Sequence, residues 1–127
     1  MNKYLSLLFR IVVAVILVQT LRFKFTAHPD SVYIFTKVGM EPFGRIGVGV
    51  SELIAAVLIL IPQTIWLGSL LTVGIIGGAI LLHLTVLGIE INGDGGTVFY
   101  MALVTFILSL ILLWSERKKI PIIGKKL

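Results

Sequence analysis

Two residues in this chain stand in surroundings where ionisable groups are rare. Glu52 lies inside "GRIGVGVSELIAAVLILIP" (residues 44–62), with long apolar flanks on both sides. His83 lies inside "GAILLHLTVLG" (78–88). A carboxylate taken out of water needs a cation, a hydrogen-bond donor or a proton. The cations within reach of Glu52 are Arg22, Lys24 and Arg45, and the preferred expectation is that Arg22 turns inward to it. Arg45 shares its helix face but lies two turns away. His83 is expected to be a hydrogen-bonded interior group, with a proton relay or a donor to a quinone carbonyl as the next possibility. No second histidine stands at a ligand spacing, so no metal site is expected.

Gln19 and Arg22 approach the same membrane leaflet from the first apolar segment, and Asp94 approaches it from the turn "NGDGG". Gln19, Arg22, Lys24, Glu52, His83 and Asp94 are therefore the candidate ligand-binding residues of an outer-leaflet polar pocket. The competing reading is a satisfied polar plug that only holds helices in register. "NGDGG" echoes a fragment of a calcium loop but lacks its spacing and terminal glutamate, so a turn with Asp94 or Thr97 capping the next helix is expected.

The solvent is set by composition. Of 127 residues, 57% are hydrophobic and 13% charged, against roughly 25% charged in a soluble domain. Four segments, approximately 4–25, 43–61, 64–88 and 96–115, are close to the ~20 residues that cross a hydrocarbon layer. Arg10 interrupts the first, but the segment can still span, with Arg10 expected to snorkel toward its own interface and Arg22 able to reach the opposite one only if it does not turn inward to Glu52. The expectation is an all-α integral membrane protein: one domain, an antiparallel four-helix bundle, and a basic tail at 116–127. "PDSVYIFTK" after His28 predicts a short amphipathic helix between the first two spans, anchored by Tyr33, Phe35 and Phe43.

Seven basic residues (Lys3, Arg10, Arg117, Lys118, Lys119, Lys125, Lys126) fall on the side of both termini and four (Arg22, Lys24, Lys37, Arg45) on the other. The positive-inside rule then places both termini in the cytoplasm. The net charge of +5 suits anionic lipid headgroups rather than nucleic acid. Absence of cysteine excludes thiol redox chemistry. Small residues four apart, Gly47, Ser51 and Ala55 on one helix and Gly74 and Gly78 on the next, predict close backbone packing inside the bundle. The last eight or so residues read as a loose tail.

"FKFTAHPDSVYIFTKVGMEPFGRIGVGVSELIAAVLILIP" (23–62) and "GAILLHLTVLGIEINGDGGTVFYMALV" (78–104) resemble the DoxX family of small four-helix bacterial membrane proteins. The likeness rests on Lys24 in "FKF", Glu52, His83 and "GDGG", and covers roughly residues 12–124. It implies either of two roles. Some relatives are small subunits of quinone-linked sulfur oxidation or membrane oxidoreductase assemblies, and a distant eukaryotic relative is a chaperone for channel assembly. The functional expectation is thus a small subunit or partner of a membrane oxidoreductase that binds a quinone- or lipid-like ligand, with a membrane or periplasmic redox protein or a second copy as partner. The alternative is a non-catalytic assembly partner. A transporter is disfavoured, because no inverted repeat or unwound helix is visible.

Overall fold

A computed structural model describes residues 1–121 and 124–126. Among them there is no strand. Helix α1 spans Lys3–Phe25, α2 Pro29–Lys37, α3 Phe43–Leu60, α4 Ile65–Leu82 and α5 Thr97–Ser115. The last turn of α4 widens into a π turn, His83–Leu87. Four of these segments, with α4 counted from Pro62 to Leu87, are long and apolar enough to cross a membrane.

Local chemistry sets the helix ends. Asn2 accepts from the Tyr4 N–H at 2.7 Å and opens α1. His28 Nδ1 accepts from the Asp30 N–H at 3.1 Å, and Pro29 supplies a first position that needs no donor, so α2 starts there. Pro62 ends α3, and the Thr64 hydroxyl donates to the Leu58 carbonyl at 2.7 Å, closing a three-residue link to α4. Gly88, at φ +80°, turns the chain out of the π turn.

The core is built from Val13, Ala14 and Leu17 of α1, Ala55, Ala56 and Ile59 of α3, Ile65 and Ile76 of α4, and Leu112 of α5. Helix α1 packs on α3, α3 on α4, α4 on α5, and α5 returns to α1, so the four long helices close a ring. Outward faces carry exposed Leu8, Val15, Leu53, Val57, Leu81, Val104 and Ile107. The helices have apolar residues inside and outside alike.

Four packing expectations are corrected. A Cβ at Gly47, Gly74 or Gly78 would meet nothing within 4 Å, so those glycines are not at a helix contact. The close approach is at Gly68, where a Cβ would lie 2.5 Å from Ile59 N and 3.0 Å from Ala55 O. Arg10 does not snorkel. It is 7% exposed, and its guanidinium donates to the Ile59 and Leu60 carbonyls at 2.7 and 2.6 Å, groups that the end of α3 leaves without intrahelical partners. Phe35 is buried on the bundle side of α2, whereas Tyr33 is exposed and Phe43 is 86% exposed. The tail is also not loose throughout, since 3-10 turns form at Arg117–Lys119 and Gly124–Lys126.

Candidate functional site

Glu52 projects from α3 toward α1 and is 2% exposed. Its Oε1 lies 3.0 Å from Lys24 Nζ, and its Oε2 lies 3.1 Å from the Thr20 hydroxyl. Thr20 and Lys24 are one helical turn apart on α1, so a single face of that helix presents both groups. The cation is therefore Lys24, correcting the expectation of Arg22. Arg22 is exposed, as is Gln19. The reason is angular: at about 100° per residue, Lys24 continues the buried stripe through Val13 and Leu17, and Arg22 stands about 140° round from Leu17.

Arg45 is buried but engages elsewhere. Its Nε donates to both Glu41 carboxylate oxygens at 2.9 and 3.0 Å, and its Nη1 donates to the Lys24 carbonyl. The same lysine residue is thus held twice by α3: through its ammonium by Glu52 and through its carbonyl by Arg45.

His83 is 3% exposed at the start of the π turn. Its Nδ1 lies 2.9 Å from the Gly88 carbonyl. A carbonyl only accepts, so Nδ1 carries hydrogen, and in the neutral ring Nε2 keeps the lone pair. Nε2 has no hydrogen-bond partner among the described residues. The Phe99 ring stands edge-on to the imidazole with centroids 5.4 Å apart. The imidazole thus braces the π turn with one nitrogen and leaves the other chemically open.

Asp94 is absorbed by its turn. Its carboxylate accepts from the N–H groups of Ile91 at 3.0 Å, Gly96 at 2.7 Å and Val98 at 3.2 Å, and so satisfies the first turn of α5 from two residues upstream of Gly96. Burial pushes its carboxyl up, but these three donors outweigh burial and, with the His83 imidazole close by, hold it below the ordinary carboxylate range. Asn92 Nδ2 donates to Asp30 Oδ1 at 2.8 Å, tying this turn to α2.

The six expected residues accordingly divide. Lys24 and Glu52 meet directly, Asp94 and His83 sit in one electrostatic neighbourhood, and Gln19 and Arg22 stay on the outside of α1. Thr20, which sequence reasoning passed over, completes the carboxylate's shell. The signal for it was available, since it precedes Lys24 by four residues. Open surface grooves among the described residues include one of about 640 Å³ lined by Ala27, Pro29, Val32, Tyr33, Thr36 and Lys37, and another of about 440 Å³ lined by Ala14, Val15, Val18, Gln19 and Leu60. Neither is lined by Glu52 or His83. Among the described residues no cluster of three or more histidine or acidic side chains is placed to hold a metal ion.

No protein-family model, curated protein or solved structure matches this chain.

Proposed function

We propose that this chain is a multi-pass protein of the bacterial inner membrane, an antiparallel four-helix bundle with both termini in the cytoplasm, and that it serves as a non-catalytic assembly partner of another membrane protein. Four long apolar helices with exposed apolar faces support insertion. The contacts of residue 10 with 59 and 60, 20 with 52, and 24 with 45 support opposite directions for α1 and α3. The seven-to-four basic imbalance supports the orientation.

One observation carries the functional reading: each oxygen of the Glu52 carboxylate is engaged by α1, and neither groove reaches it. A carboxylate used for a ligand would present an oxygen to a cavity. This one joins helices. A second reading, the quinone- or lipid-binding oxidoreductase subunit implied by the DoxX resemblance, is favoured by His83 Nε2, a nitrogen of a buried residue that makes no hydrogen bond among the described residues.

Native mass spectrometry of the full chain purified in mild detergent separates the two. The assembly role predicts a protein partner in fixed stoichiometry and no stoichiometric small molecule. A quinone or lipid bound one-to-one and lost in His83→Leu would overturn it in favour of the second reading.

A further inference from the structure

Residues 114–126 carry five cations: Arg117, Lys118, Lys119, Lys125 and Lys126. In an extended tail the last two would lie far from the first three. Here the chain folds back. The Gly124 N–H donates to the Ile120 carbonyl at 2.8 Å, Gly124 is buried, and a Cβ on it would stand 2.5 Å from the Lys118 carbonyl oxygen. Only a residue without a side chain permits that approach, and its effect is to bring the second lysine pair beside the first.

The four lysines of this turn face outward. Lys118, Lys119, Lys125 and Lys126 are all exposed. Among the described residues, the carboxylate of Glu116 is taken by Lys119 at 3.0 Å. The Arg117 guanidinium lies over the Trp114 ring, 4.2 Å from its centroid, and Trp114 is 65% exposed on the last turn of α5. An exposed indole at the end of an apolar helix sits at headgroup depth, so the cations beside it stand at the level of lipid phosphates.

We propose that residues 114–121 and 124–126 form a folded receptor for the headgroups of anionic phospholipids, in which the turn at Gly124 sets the spacing of the lysines. This rests on the reading that α5 spans a bilayer. The partner is the membrane surface rather than an acidic protein, because the cations and the indole share one helix end and the indole must be in the interface for the helix to span.

The chain's two tryptophans supply the test. Trp66 opens α4 just after the hairpin "IPQT" (61–64), which has no charge. The full chain is reconstituted as Trp66→Phe, leaving Trp114, or as Trp114→Phe, leaving Trp66. Fluorescence quenching is then measured in vesicles with brominated phosphatidylglycerol or brominated phosphatidylcholine. Trp114 is expected to select phosphatidylglycerol by about threefold or more, and Trp66 to show no selection. Replacing the four lysines with glutamine should abolish the selection. Gly124→Val, which keeps every charge but opens the turn, should reduce it by at least half.

Equal quenching by both lipids at Trp114 would sink the proposal and leave the patch to a soluble acidic partner, with insertion intact. Full selection in Gly124→Val would show that charge alone suffices and that the folded receptor is wrong. No quenching by either lipid would remove the membrane reading itself.

Discussion

The Lys24–Glu52 pair permits a measurement of what a buried ion pair does in this bundle. At 3.0 Å, and with an effective dielectric of about 20, the attraction is about 5–6 kcal/mol, most of which offsets the cost of taking both charges out of water. The pair therefore adds little over an apolar pair, but breaking one side is costly. Lys24→Met strands a carboxylate that is 2% exposed and is expected to cost about 3–5 kcal/mol. Glu52→Leu should cost less, about 1–2 kcal/mol, because the Lys24 side chain is partly exposed near the end of α1 and its long stem can carry the ammonium to the interface. The double replacement should return to within about 1 kcal/mol of the parent, leaving a coupling of at least about 3 kcal/mol. Reversible unfolding in mixed micelles, titrated with dodecyl sulfate and followed by helical circular dichroism, gives all four corners of the cycle. Additive single costs would refute the pairing, and Arg22→Met as damaging as Lys24→Met would restore Arg22 as the partner.

Three further outcomes are expected. Gly68→Ala should destabilise by about 1–3 kcal/mol because its methyl meets the Ile59 and Ala55 backbones, while Gly78→Leu should stay within about 0.5 kcal/mol; thermal unfolding in detergent compares them, and the reverse order would place Gly78 at the helix contact. Asp94 has a lowered carboxyl pKa, so its stabilisation is present above the ordinary carboxylate pKa of about 3.9 and is lost as pH falls through its lower folded value. Asp94→Asn should then be less stable than the parent near pH 7, with the gap closing in acid; a gap independent of pH would contradict the charged cap. Single cysteines in this cysteine-free chain at exposed Thr36 and Thr97 should react with an impermeant thiol reagent on intact cells, and one at Lys118 should not. Ser31 is unsuitable for this purpose because it is buried.

The four long helices were legible because their signal is compositional: an apolar run of about 20 residues identifies itself without knowledge of any neighbour. Start signals at Pro29 with Asp30 and in the turn around Asp94 were legible for the same local reason, whereas the His28 cap was not read. Direction around the helix axis was harder. On α1 a periodic count from Val13 and Leu17 reaches Lys24 and bypasses Arg22, so the correct cation was available to angular reasoning but hidden from a comparison of distances along the chain. On α4 even that count fails, because nearly every residue from Ile65 to Leu82 is apolar or small and the helix has no polar side to mark its outside. Gly68 and Gly78 look alike in the sequence. Only the position of α3 distinguishes them.

Arg10, Glu52 and Arg45 show why so apolar a chain retains charges inside. In lipid the apolar surfaces of two helices gain little by choosing one another over the surrounding acyl chains, so apolar packing alone discriminates weakly among registers. Each of the three charges spans the same pair of helices at a different height: Arg10 reaches the carbonyls at the end of α3, Glu52 reaches Thr20 and Lys24, and Arg45 reaches the carbonyl at residue 24 near the end of α1. Sliding α1 by one turn, about 5.4 Å, would break all three together and leave several charged or polar groups unpartnered in an apolar interior. A single pin would still permit rotation about itself, but three along the helix fix both translation and tilt. The interior charges of α1 and α3 are therefore accounted for by carbonyls and carboxylates of α1, α3 and the Glu41 that precedes α3, whereas His83 in the π turn keeps an Nε2 that no contact among the described residues uses.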